Sequence, residues 1–307
     1  YFRKVRLGFN YSIEFIFDDV RNRLCDKVDF KVAEMPFLSN GLLRRIGNVL
    51  YAYSQQGRVN HITGDIHYVN LLFSRRRSVL TIHDCGPMRH GNAVQRALFK
   101  WFWLKIPVWK AKVVTTVSEF SKQDIISFTN CSPDKIKVIP VAVSEVFRPT
   151  PKIFDEKCPV ILQIGTAENK NILRLIEAIS HIHCQLVVIG RLEESKVQML
   201  EQYKVSYECK YDLSTEEVFA EYKRCDLVSF ISTFEGFGMP IVEANWVERV
   251  VIAGNNSSMP DVAGGSALLV DAFSTDDIRS GIQKLIHDAQ LRETLLTNGR
   301  MNRNRFL

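Results

Sequence analysis

Leu227-Val-Ser-Phe-Ile-Ser-Thr-Phe-Glu-Gly-Phe-Gly-Met-Pro-Ile-Val-Glu243 reads as a strand, a loop and a helix in succession. Leu227–Ile231 is a short apolar run of the kind a sheet buries on both faces. Gly236 and Gly238 let the backbone come close to a ligand, and Pro240 suits the first position of a helix. Free N–H groups at that helix start would face an anion. The loop is not a dinucleotide fingerprint: Ile241 stands where a third small residue belongs, and no ribose-binding acid follows at the usual distance. Glu235 on the loop and Glu243 in the first helical turn can face one cleft. One carboxylate would accept hydrogen bonds from vicinal sugar hydroxyls. The other would meet charge or hydroxyls at a neighbouring ring.

The same alternation extends to both sides. Val160–Ile164 predicts a strand, followed by a helix over Ile172–Ile182, then a strand at Gln185–Ile189 ending in Gly190. Ser214-Thr-Glu-Glu217 is a capping box opening a helix to Tyr222, and Val250–Ile252 and Ala267–Val270 are further strands. Upstream, Val79–Ile82, Val113–Val117 and Lys137–Val141 are short β-branched runs, with a helix expected over Asn92–Trp109. Phe147–Pro159, with three prolines and many charges, reads as a linker. The fold class is therefore α/β: two Rossmann-like domains, residues 1–148 and 158–307, facing each other across a cleft lined by the carboxyl ends of the strands.

The chain's 307 residues, 46% hydrophobic and 24% charged, exclude collagen-like, low-complexity and wholly disordered classes. No apolar run approaches the length of a membrane span. Tyr1-Phe2-Arg3-Lys4 is followed by no apolar core and cleavage site, so it does not read as a signal peptide. Seven scattered cysteines without Cys-x-x-Cys spacing point to reduced, mostly buried thiols in a cytoplasmic protein. His181 and His183 lack ligand partners at metal spacing and are expected at a helix end. The net charge of +6 hides an asymmetry: residues 1–150 hold 23 Lys/Arg against 12 Asp/Glu, while the remainder hold 17 against 22. A basic first half suits an anionic partner. Leu98–Lys112 mixes three Trp, two Phe and four Lys, a composition suited to an anionic membrane surface, whereas no nucleic-acid module is visible.

Glu235-Gly-Phe-Gly-Met-Pro-Ile-Val-Glu243 resembles the Glu-x7-Glu motif of retaining GT-B glycosyltransferases of the family-4 type. Other segments resemble that family in the same order: Asn60–Asp65, Thr81-Ile-His-Asp84, Val117-Ser-Glu-Phe-Ser121, Ile164-Gly-Thr166 with Lys170-Asn171, and Ser257–Gly264. The resemblance implies a donor site made by Gly165, Thr166, Lys170, Gly190, Arg191, Leu213, Gly236, Phe237, Gly238 and Glu243. Glu243 would bind the ribose of a UDP- or GDP-linked sugar. Glu235 would contact the transferred sugar, and Lys170 would neutralise the departing diphosphate. His83 would lie near the anomeric carbon, with Asp84, Ser118 and Glu119 on the acceptor side. Catalytic roles thus fall to His83, Glu235 and Lys170.

Three departures from the family pattern stand out. Glu168-Asn169 replaces a cation before Lys170, and Glu248-Arg249-Val250 replaces a Gly-x-Pro turn. The helix that closes the pattern is expected to be missing, as in a truncated chain or a degraded gene product. No Asp-x-Asp occurs, which fits a mechanism without metal or cofactor, Lys170 and helix dipoles serving instead. The expected function is retaining sugar transfer to a hydroxyl acceptor, a glycan or lipid-linked molecule, in cytoplasmic surface-polysaccharide or glycolipid assembly. The protein could contact the inner face of the membrane through its basic half. The alternatives are a nucleotide-sugar epimerase or phosphorylase of the same fold, or an inactive donor-binding remnant.

Overall fold

The β-branched runs of both halves form parallel sheets in the computed structural model, which describes residues 1–4, 12–89 and 92–306. In the first half, β1 (Asn60–Ile62), β2 (Ser78–Ile82), β3 (Val113–Thr116) and β4 (Ile136–Val138) pair in that order, all parallel. Around them lie α1 (Ser12–Leu24), α2 (Leu42–Ser54), α3 (Ala93–Phe99), α4 (Ile106–Lys110) and α5 (Glu119–Thr129). Ile62, Ile66, Leu80, Ile82, Val114 and Ile125 fill the core.

The helix expected over Asn92–Trp109 is interrupted. Asn92 caps α3 with a reciprocal bond to Gln95, but Lys100–Lys105 forms a wider π turn before α4. Pro107 is a local cause, because it has no N–H to give the carbonyl of Trp103. That carbonyl instead accepts from Nδ1 of His67 at 3.0 Å.

The second half carries six parallel strands in the order β10-β9-β8-β5-β6-β7. They are β5 (Val160–Ile164), β6 (Gln185–Ile189), β7 (Ser206–Lys210), β8 (Leu227–Phe230), β9 (Val250–Gly254) and β10 (Leu268–Val270). The helices are α6 (Ile172–Ile179), α7 (Glu194–Gln202), α8 (Thr215–Arg224), α9 (Met239–Val247), α10 (Met259–Ala263), α11 (Thr275–His287) and α12 (Ala289–Asn302). The chain runs outward from β5 to β7, then restarts at β8 on the other side of β5. Such a switch point is where open α/β sheets bind ligands, beyond the strands' carboxyl ends.

The chain divides into the units Tyr1–Val141 and Ala142–Leu307, so the first ends before residue 148 and the second begins before 158. The stretch read as a linker is an ordered part of the second unit. The Phe147 ring meets Tyr222 edge-on at 5.4 Å, and Phe154 packs on that unit's core. All seven cysteines are free. Only Cys85, Cys184 and Cys225 are buried, while Cys25 is exposed and the other three lie between. His181 and His183 follow the end of α6, and no cluster of metal-ligating side chains occurs among the described residues.

Candidate functional site

The turn after β5 places the cation. Gly165 has φ +85°, and a Cβ there would come within 3.1 Å of the Lys170 side chain, so glycine satisfies both the backbone and the close approach. Glu168–Lys170 forms one 3-10 turn, and Asn171 follows at φ 60°. The buried Asn171 amide donates to Ile231 O and Ala272 O, tying the start of α6 to the ends of β8 and β10. Gln163, buried in β5, donates to the carbonyls of Gly165 and Lys170.

Across the switch point, the loop after β8 brings Glu235 to this turn. Lys170 Nζ lies 2.6 Å from Glu235 Oε1, with both side chains mostly shielded from water. Asn169 stands where the resemblance expected a cation. Its amide donates to Glu235 Oε1 at 3.2 Å and to Phe234 O at 3.0 Å, so it orients the loop. From the other side, Ser257 Oγ accepts from the Glu235 amide, and Ser258 Oγ donates to the carbonyls of Glu235 and Phe237. Phe237 turns its ring into protein against Phe306, leaving only its backbone for a ligand. Gly238 caps α9 at φ +127°.

Glu243 is the fifth residue of α9, one position beyond the first turn in which it was expected. Its side chain is half-buried, and desolvation raises its pKa to about 7, against the opposing pull of Tyr222 and Lys170. Tyr222 of α8 donates its hydroxyl to Oε2 at 2.5 Å. Lys170, Glu235 and Glu243 are thus brought into one electrostatic neighbourhood.

Thr166, Gly190, Arg191 and Leu213 line up at the neighbouring strand ends. Thr166 donates to Arg191 O, and the Arg191 guanidinium lies over the Tyr211 ring at 4.5 Å while pairing with Asp212 at 2.6 Å. Arg191, Tyr211 and Asp212 are exposed. The first unit, taken by itself, holds a separate group. His83, just past β2, shares a hydrogen bond with Thr63 O at 3.1 Å; the carbonyl must accept, so Nε2 carries the proton. Asp84 accepts from the Gly86 amide, opening a turn. Ser118 is the buried N-cap of α5, accepting from Ser121 N, and exposed Glu119 begins that helix.

Sequence reasoning did not assign Tyr222 or Asn169 to the site. Tyr222 had been read only as the end of a capped helix, and nothing in the sequence puts that end beside Glu243. The departure at Glu248-Arg249 also has a structural answer. Glu248 takes φ 61° at the end of α9, a position that favours glycine, and pairs with Arg300 and Arg303. Arg249 is buried, and its guanidinium caps the carbonyls of Thr150, Lys223, Val247 and Glu248.

Two α/β units with parallel sheets, and a Lys–Glu pair at the second unit's switch point, define a GT-B fold. Solved structures agree on the fold. HepE from Anabaena, in complex with UDP and glucose, superposes with a TM-score of 0.77 at 15% identity, covering 100% of this chain and 95% of that one. WaaG, a glycosyltransferase involved in lipopolysaccharide biosynthesis, gives 0.74 at 13% identity, covering 99% and 94%. The profile of the glycosyl transferases group 1 family matches residues 148–302, and the chain belongs to that family. Among curated relatives, O-antigen chain mannosyltransferase B of Escherichia coli is 28% identical over 75% of this chain and 66% of its own length. O-antigen chain mannosyltransferase RfbU of Salmonella typhimurium is 27% identical over 71% and 63%. The chain spans less than two thirds of the length of each of these two relatives.

Proposed function

We propose that this protein transfers a hexose from a UDP- or GDP-linked donor to a hydroxyl of a surface-polysaccharide or glycolipid acceptor, with retention of configuration. The observation that carries the reading is the Lys170–Glu235 pair at the switch point, with the half-buried Glu243 within electrostatic reach of Lys170. An ammonium at this place opposes the charge that grows on a diphosphate as it leaves, which lowers the barrier by electrostatic stabilisation. The entering diphosphate competes with Glu235 for Lys170. Released from the cation, Glu235 is then available to the hydroxyls of the transferred sugar. Glu243, ionised, accepts both ribose hydroxyls. In this reading no metal is required, and His83 with Asp84 serves the acceptor in the first unit. The names of the two relatives favour a mannosyl donor as the first to test.

The reading includes a peripheral membrane location for the first unit. Val94, Leu98, Trp101, Phe102 and Trp109 are exposed on and after α3, beside Lys100, Lys105 and Lys110. Trp103 departs from the expected interfacial stripe, because it stacks on Phe99 at 4.8 Å and packs against the core. No described helix is long and apolar enough to cross a membrane.

The deciding experiment screens nucleotide sugars for a rise in melting temperature, then follows the stabilising one with and without a glycan acceptor. Transfer that needs acceptor and keeps the anomeric configuration supports the proposal. Turnover of donor alone to an epimer would instead favour the epimerase reading, and binding without turnover a donor-binding remnant.

A further inference from the structure

We infer that Lys196 of α7 is a positioning residue for the donor's diphosphate, a second cation brought to the turn after β5 from a neighbouring helix. Asn169 stands where the resemblance expects a cation beside Lys170. The fold supplies one to the same turn by another route. Lys196 is 6% exposed, and its Nζ donates to the Thr166 carbonyl at 2.8 Å. Thr166 follows Gly165, over which the Lys170 stem passes, so the two lysines meet consecutive residues of one turn.

Packing alone does not account for the charge. A buried ammonium is costly to desolvate, and a methionine fills nearly the same volume without that cost. Among the described residues its ionic partner is Glu193 at 3.0 Å, whose side chain is 73% exposed, so water screens the pair. The bond to Thr166 also has a directional consequence. The peptide between Thr166 and Ala167 is trans, so the Ala167 N–H points opposite to the Thr166 carbonyl, away from Lys196. That N–H meets no acceptor among the described residues. Thr166 is fixed through its side chain as well. Its hydroxyl donates to Arg191 O at 2.7 Å, and a Cβ on Gly190 would lie 3.1 Å from its methyl group. Lys196 thereby engages a carbonyl that would repel an anion and leaves the next amide free to donate to one. It also adds a shielded positive charge at the switch point, where little water weakens its field.

This role rests on the transferase reading and adds a residue to its donor site. The test is calorimetry on the full chain with UDP, UMP, GDP and GMP, for the wild type, Lys196→Met and Glu193→Gln. The monophosphates lack the second phosphate. The ratio of diphosphate to monophosphate affinity therefore reports the charge, whereas general damage to the fold weakens both alike. Lys196→Met should lower that ratio about fivefold, without lowering the melting temperature of the free protein. Glu193→Gln removes the carboxylate that competes with the diphosphate for Lys196, and should raise the ratio about twofold. Glu193 is exposed, so this variant keeps the test valid if Lys196→Met does not fold. A ratio unaltered in Lys196→Met, or in Glu193→Gln where only that variant folds, would overturn the role of Lys196 and leave the transferase reading standing. Failure of the wild type to bind any of the four nucleotides would overturn both.

Discussion

The Tyr222 hydroxyl on α8 donates to Oε2 of Glu243 on α9 at 2.5 Å, in a place where burial holds the carboxyl's pKa at about 7. The bond stabilises the ionised form, and desolvation outweighs it. Glu243 is therefore poised between its two states near neutrality. Only the ionised state accepts from two ribose hydroxyls at once.

Affinity for a nucleoside diphosphate should accordingly fall as pH drops below about 7, by at most tenfold per unit. Tyr222→Phe removes a donor to the carboxylate and should move this profile to higher pH. Glu243→Gln should abolish Glu243's share of the dependence, and Glu243→Ala should weaken binding by about 1.5–3 kcal/mol. Calorimetry from pH 5.5 to 8.5, about the range over which such a group titrates, reads all three. The same group gives a sign for stability. The native state keeps a proton that the unfolded chain releases, so stability falls as pH rises from 4.5 toward about 7. Denaturant unfolding of the wild type and of Glu243→Gln should differ in that slope, and equal slopes would remove Glu243 from the account.

Lys170→Ala should lower turnover more than donor affinity, since the charge matters most as the diphosphate leaves. The variant also frees Glu235 from its 2.6 Å partner, which partly offsets the lost attraction in the ground state. Steady-state kinetics should show kcat reduced by more than KM is raised. A chelator should leave wild-type turnover unchanged. Loss of activity on chelation, restored by magnesium, would refute the metal-free mechanism.

Gly165→Ala should destabilise the protein by about 1–3 kcal/mol, because a positive φ and a steric approach act at one position. The approach is to Lys170 at 3.1 Å, so the variant should also disturb donor binding. Thermal unfolding with and without nucleotide separates the two effects. An unchanged melting temperature and unchanged nucleotide stabilisation would show that the turn tolerates a side chain.

The strands of the second unit were legible because a parallel sheet buried on both faces writes itself as continuous apolar runs, as at Val160–Ile164 and Gln185–Ile189. The edge strand Ser206–Lys210 carries no such run, since one flank has no neighbouring strand and Tyr207 and Glu208 are only half-buried. Glu235 was legible on the glycine-rich loop after a strand, and Lys170 only through the family resemblance; their contact spans the order of the sheet. Tyr222 was not, because its role depends on how α8 packs on α9.

The basic first half gives the last prediction. Residues 1–150 hold an excess of 11 positive charges, and Trp101, Phe102 and Trp109 are each more than half exposed beside Lys100, Lys105 and Lys110. Lys105 lies over the Trp101 ring at 4.6 Å, and Lys110 over Trp109 at 5.9 Å, so cation and aromatic face are presented together. At an anionic surface the rings enter the headgroup boundary while each cation contributes about 1 kcal/mol, an attraction that salt screens within a Debye length. Sedimentation with vesicles containing phosphatidylglycerol should therefore retain the protein at low salt and release it at high salt. Purely zwitterionic vesicles should retain much less. Replacing Lys100, Lys105 and Lys110 with Glu should reverse the local charge and abolish sedimentation; the three side chains are only half-buried, and a melting curve checks that the variant is folded. Trp101→Ala with Trp109→Ala should weaken retention but leave its salt dependence in place, since it removes insertion and not charge. Equal retention on anionic and zwitterionic vesicles, or none at low salt, would rule out electrostatic docking by this face.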